Sequence, residues 1–332
     1  MDVDAYVLEH RDTWNRLDRL VKRQRPTGAE ADEIVDLYQR TATHLAVIRG
    51  STYDPTLEAR LSTLVTNARA VVTGTSVPLM AAVAYFFTAT FPAAVYRLRW
   101  AWIAIAAVSV LTAFGIGYRV VTVPGLEQTL ISPEALQSLL DHDFAAYYSE
   151  NPAGDFAAQV WLNNSVVAAT FMITGIAVYP LALAWWSNMQ NLGIVGGLMV
   201  GNGRADVFYG LILPHGLLEL TCLFIAAAAG LSLAWAVVSP GPRTRARALA
   251  EQGRRVGAIA VGLACALAVS GVLEAFLTPS RLPAAARLAI GAAVWLAFLA
   301  YVLILGRLAT RGGETGDVDA GSAGFDAPTE AA

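Results

Sequence analysis

From Trp100 to Val121 the chain is an apolar run of about the 20 residues that a bilayer core requires, and further runs follow near 159–180, 209–238, 256–277 and 285–307. Runs of this length constrain the fold more than any other feature. In hydrocarbon no water completes the backbone hydrogen bonds, so each run reads as a membrane-spanning helix. The composition agrees: 15% of residues are charged and 56% hydrophobic, with a mean hydropathy of +0.51, where soluble domains carry about 25% charged residues. The expected fold class is all-α, a polytopic membrane protein with the lipid bilayer as its first partner.

A net charge of −3 and the lack of a basic stripe argue against nucleic acid as a partner. The two cysteines, Cys222 and Cys265, lie within apolar runs far from any CxxC or Cys/His grouping, so neither a disulfide framework nor a zinc site is expected, and both read as core packing. The acidic start Met1-Asp2-Val3-Asp4 does not lead into an apolar segment, and no cleavable signal peptide is expected.

Residues 1–75 read as a small cytoplasmic helical domain. Its first helix carries Trp14, Leu17 and Val21 on one face. The second opens with the capping box Thr27-x-x-Glu30 and continues through Ile34, Leu37, Tyr38, Leu45 and Ile48. The third begins at Asp54-Pro55, a cap followed by proline at the first helical position, and carries Leu57, Leu61, Leu64, Val65 and Val72. Docking or assembly suits such a domain better than catalysis.

Residues 76–99 hold Pro78, Pro92 and the cluster Tyr85-Phe86-Phe87 next to Arg97 and Arg99, which predicts an interfacial helix lying on the membrane. The transmembrane bundle is then expected over 100–309. Its loop 122–158 contains Glu127, Glu134, Asp141, Asp143, Glu150 and Asp155 with no Lys or Arg, while 240–255 contains five arginines and one acid. The basic-residue bias places the first loop outside the cell and the second, with the amino terminus, in the cytoplasm. The chain must therefore cross an odd number of times between them, yet only two runs there are plainly apolar. The missing crossing falls on Leu183–Gly201, which is rich in Asn and Gly; it is expected to cross as a helix that can be irregular or broken, the alternative being a re-entrant loop with a topology that breaks the charge bias. Six crossings result, with residues 310–332 as a disordered tail.

Polar residues at membrane depth are costly enough to need a partner or a role. They are Asn163 and Asn164 at the head of the second crossing, Asn188, Gln190 and Asn191 in the third, and His215, Glu219 and Glu274. His215 and Glu219 stand four apart and share a helix face. A metal centre is not expected, because His10, His44 and His142 lie elsewhere and no zincin pattern is present; no Gly-x-Ser-x-Gly elbow marks a hydrolase. No catalytic residue and no cofactor is expected. Three readings of the polar cluster stand open: hydrogen bonds tying helices together, a proton or ion pathway, and a pocket for a lipid or glycan headgroup.

Several of these residues also carry a likeness. Asn163-Asn164, the glycines Gly193, Gly196, Gly197 and Gly201, Pro214-His215-Gly216-x-x-Glu219, Ala228-Ala229-Gly230-Leu231, Pro240-Gly241 and Glu274-Ala275-Phe276-x-Thr278-Pro279, with Phe91-Pro92-x-x-Val95 ahead of them, resemble the stage II sporulation protein M family of bacterial integral membrane proteins. The resemblance implies a scaffold of the bacterial cell membrane that holds envelope proteins or peptidoglycan-acting enzymes, without enzymatic activity of its own. The alternative from a different class is a transporter or channel using the intramembrane His and Glu residues. The glycines would also permit close contact with a second copy of the chain.

Overall fold

The computed structural model describes residues 3–22, 27–51, 55–72, 79–144 and 152–318, and its regular structure is α-helical with short π and 3-10 turns. The chain divides into two compact units, Met1–Ala82 and Val83–Ala332.

In the first unit, α1 (Val3–Val21), α2 (Gly28–Ser51) and α3 (Pro55–Val72) bury Trp14, Leu17, Leu20, Ile34, Leu37, Leu45, Ile48, Leu61, Leu64 and Ala68 in one core. The capping box forms: the Thr27 N–H donates to Glu30 Oε2 at 2.9 Å, and the Glu30 N–H donates to Thr27 Oγ1 at 3.4 Å. Asp54, expected as the cap of α3, lies outside the described residues. The buried Trp14 Nε1 donates to His44 Nδ1 at 3.1 Å, and His44 stacks on His10 with ring centroids 3.9 Å apart. Burial, and then the neighbouring His10, push the His44 pKa below its usual value.

The second unit starts within α4 (79–97), whose middle turn Phe86–Thr90 is π-helical. Next come α5 (Arg99–Thr122), the short α6 (Leu126–Leu130) and α7 (Pro133–Ser138), then α8 (Ala153–Thr174), α9 (Tyr179–Gly201), α10 (Ala205–Val238), α11 (Arg245–Leu277) and α12 (Ala284–Arg311). Five of these, α5, α8, α10, α11 and α12, are long and apolar enough to cross a membrane.

Side-chain contacts fix the direction of each helix. Trp185 Nε1 of α9 donates to Ser109 Oγ of α5 at 2.7 Å. Further along both helices, a Cβ on Gly193 would meet the Ala113 carbonyl at 2.7 Å, one on Gly197 would meet the Gly117 carbonyl at 2.8 Å, and one on Gly201 would meet Val121 at 3.5 Å. Residue numbers rise together, so α9 runs parallel to α5 along its length. At about 1.5 Å per residue its 23 residues span about 34 Å, more than a hydrocarbon core of about 30 Å. Of the forms left open for this segment, the structure has one unbroken helix, because its glycines lie against α5 instead of interrupting the backbone ladder.

By the same logic α8, α10 and α12 run together, opposite to α5, α9 and α11. Trp295 of α12 donates to Thr221 Oγ1 of α10 at 3.0 Å, whereas Gln252 of α11 donates to Ser232 of α10 at 2.7 Å and Ser270 donates to the His215 carbonyl at 3.1 Å. The ends agree. At one end of the bundle, Arg97 donates to the Glu314 carbonyl at 3.2 Å and Arg254 holds Asp317 through two contacts of 2.7 Å. At the other, Asn202 donates to Glu127 at 2.8 Å and Arg204 to the Leu140 carbonyl. Residues 97 and 254 can share an end only if an even number of helices separates them. That requires α9 to be counted with α5, α8 and α10.

Two segments differ from expectation. Phe91–Val95, within the segment read as interfacial, is buried in the bundle: the Phe91 ring occupies the place of a side chain on Gly262, and the Pro92 backbone lies against Gly306. The chain from 310 also continues with structure. Helix α12 runs to Arg311, and 312–318 fold back so that Asp317 is buried against Arg254, a bidentate pair that a composition-based reading does not register. Residues 319–332 lie outside the described part. Cys222 is fully buried as expected, but Cys265 is exposed on the outside of α11.

Two outcomes follow from this packing. Gly197→Val forces its methyls into Val120 and the Gly117 carbonyl, and should lower stability by about 1–3 kcal/mol in detergent unfolding, while Gly115→Val, which meets open space, should not. In the first unit, the folded state favours neutral His44, so its contribution is present above the unfolded pKa of about 6.5 and is lost as pH falls through that value toward the lowered folded one. Hydrogen exchange in α1 and α2 of the full chain, corrected for intrinsic rates, should accelerate from about pH 7.5 to about pH 5, and His44→Gln should flatten that response.

Candidate functional site

Helix α10 is the centre of the bundle, with neighbours α5, α8, α9, α11 and α12 around it. Pro214 interrupts its ladder by removing one N–H, and Gly291 of α12 lies directly against the Pro214 backbone. The next residue, His215, is buried and points to α11. There α11 ends in a π turn, Leu273–Leu277, closed by the Thr278 N–H donating to the Leu273 carbonyl at 3.0 Å, and Pro279 prevents further helix. Arg287 from α12 steadies this turn by donating to the Thr278 carbonyl.

The turn sets two side chains against the imidazole. Thr278 Oγ1 lies 3.2 Å from His215 Nδ1, and Glu274 Oε2 lies 3.8 Å from His215 Nε2. One helical turn further along α10, Glu219 joins them, so that one ligand-capable atom each from His215, Glu219 and Glu274 lie within 4.8 Å of one another. His215, Glu274, Ser270 and Thr278 are all buried. Oxygen Oε2 of Glu219 has no exposed surface and no hydrogen-bond partner among the described residues.

Glu219 also reaches the wall of a cavity of about 400 Å³ between α8, α9 and α10. The polar part of that wall is Asn163, Asn164, Asn188, Asn191 and Glu219, and Leu139 and Phe144 border it from the segment after α7. Asn163 Nδ2 approaches Asn164 Oδ1 at 3.5 Å, and Asn188 Nδ2 donates back to the Ala184 carbonyl at 2.9 Å. The structure thus gathers seven of the eight polar residues singled out from the sequence into two adjoining groups: the asparagines on the cavity and the His-Glu-Glu cluster behind it, with Glu219 in both. Gln190 stays outside, exposed.

Below Leu223 the polar lining ends. Cys222, Ile225, Ala226, Ala227, Ala228, Ala229 and Gly230 are buried among Ala168, Phe171, Met172, Ile259 and Leu263, and Gly175 meets Gly230 backbone to backbone. The cavity is therefore blind toward the end of the bundle that carries Arg254. Sequence reasoning overlooked Ser270, which stands four residues before Glu274 as Thr278 stands four after it. That i, i+4, i+8 row of polar residues on one helix face was a readable signal.

Compared with known proteins, residues 105–279, more than half of the chain, match the family model described as Stage II sporulation protein M. Residues 4–74 match a domain of unknown function. No curated protein and no solved structure matches the chain.

Labelling probes the cavity directly. With the exposed Cys265 replaced by Ser, the buried Cys222 should stay inert to a polar maleimide, while Asn164→Cys should react. Equal inertness of both thiols, measured by mass shift, would mean the asparagine-lined space is closed to water.

Proposed function

Since the chain belongs to the stage II sporulation protein M family, we propose that it is a membrane scaffold of the bacterial envelope, a multi-pass protein that assembles other envelope proteins and carries out no reaction itself. The family resemblance suggests peptidoglycan-acting enzymes among its clients. In this reading the amino-terminal helical unit is cytoplasmic and the acidic segment around Glu127, Glu134 and Asp141 faces outward, as the arginine distribution suggests.

The observation that carries the reading is the blind cavity. A conduction path needs polar groups or water from one face to the other, and here the polar lining stops at Glu219 above an apolar core of alanines, leucines and phenylalanines. A one-sided recess suits recognition better than transport. The helices α5 and α12 support the same reading, for they turn large apolar residues outward, including Leu111, Phe114 and Tyr118 on α5 and Leu296 and Ile304 on α12, where other membrane helices can dock.

The test has two arms. Photo-crosslinkers at Phe114 and Leu296 in the full chain in its native membrane should capture discrete envelope proteins, and the purified chain in liposomes should show ion or proton flux no greater than empty vesicles, with Glu219→Gln unchanged. Flux abolished by Glu219→Gln would replace the scaffold with a transporter.

A further inference from the structure

The cluster behind the cavity has the composition and the arrangement of a metal site. We propose that His215 Nε2 and one carboxylate oxygen each from Glu219 and Glu274 bind a first-row divalent metal ion, with a fourth position directed to the asparagine-lined cavity.

Zinc bonds of about 2.0–2.2 Å at the tetrahedral angle hold neighbouring ligand atoms about 3.4 Å apart. His215 Nε2 stands 3.8 Å from Glu274 Oε2, and one ligand-capable atom of each of the three residues lies within 4.8 Å of the others, so small side-chain rotations suffice. Two of the ligands sit on one helix at i and i+4, and the third is brought to them by the π turn of α11.

The imidazole is set up in the orientation a ligand needs. Thr278 Oγ1 is within 3.4 Å of the Leu273 carbonyl, to which its hydroxyl can donate, so that its oxygen accepts from the Nδ1–H of His215. This tautomer puts the lone pair on Nε2, the nitrogen that faces the carboxylates. An outer partner fixing a histidine ligand in this way is the usual support of a metal site.

Charge argues the same way. Two carboxylates and a neutral imidazole balance a divalent cation, so the loaded site brings no net charge into the bilayer interior, whereas two carboxylates alone at this separation repel each other in a low dielectric. Glu219 Oε2, buried with no hydrogen-bond partner among the described residues, gains one as a ligand. Glu219 also lines the cavity of about 400 Å³, which supplies the route by which an ion reaches the cluster.

The inference stands apart from the scaffold reading, and its test does not touch crosslinking or flux. Full-length protein, purified in detergent without chelator, is incubated with zinc chloride and desalted, and zinc per chain is measured by elemental analysis. Wild type should retain one ion per chain; His215→Ala and Glu219→Gln should lose it; and a variant with both His10→Ala and His44→Ala should keep it. Wild type without zinc, or zinc content that His215→Ala and Glu219→Gln leave unchanged, overturns the proposal. Size-exclusion elution and helical circular dichroism report whether each variant folds. Should a ligand variant not fold, Thr278→Val decides: it keeps all three ligands, removes the outer partner, and should weaken zinc affinity by about 10–100-fold in competition with a chelating dye. Unaltered affinity in Thr278→Val, with ligand variants that fail to fold, likewise rejects the site.

Discussion

Lipid tails solvate an apolar helix as well as another helix does, so the second unit holds together only where backbones come close enough for dense contact. Glycine supplies that closeness at crossing after crossing. Gly193 and Gly197 seat α9 on α5, Gly175 meets Gly230 between α8 and α10, Gly291 lies on the Pro214 backbone between α12 and α10, and Gly262 and Gly306 receive Phe91 and Pro92 of α4. A side chain at any of these positions would collide with a neighbouring helix. The position of α10 at the centre, and with it that of His215 and Glu219, depends on these contacts.

The site is a by-product of the same packing. Pro214 weakens the ladder of α10 where Gly291 presses against it, and the π turn and Pro279 end α11 beside it. Irregular backbone at membrane depth is tolerable because it is buried in protein. The outcome is asymmetric. Toward the acidic loop the interhelical space is a cavity with polar walls, while toward Arg254 the Ala226–Gly230 stretch is buried among apolar residues and the space beside Ala227 has apolar walls. That difference makes the polar space one-sided.

Parts of this were legible in the residues. The six-helix count came from arginine placement, which required a crossing at 183–201 that hydropathy alone undervalues; the parallel contacts of α9 with α5 show that it runs the length of the same bundle. What misled was reading glycine and asparagine as breakers. Composition does not say whether a glycine frees the backbone or admits a neighbour, and here Gly193 and Gly197 admit α5. The burial of Phe91–Val95 and the return of 312–318 to Arg254 were hidden for a related reason. Both rest on partners more than sixty residues away: Gly262 and Gly306 for the first, Arg254 for the second.

The sequence by itself determined that the chain lives in a bilayer, that it does so as helices, and which polar residues lie among them, because hydrocarbon enforces length and internal hydrogen bonding on every segment independently of its neighbours. Only the tertiary structure decided that His215, Glu219 and Glu274 come within 4.8 Å of one another, that four asparagines line one cavity, and that this cavity ends blind. Helical periodicity tells which side chains share a face, but it carries no record of which face meets which. That pairing is settled by shape, at the few places where backbones can touch.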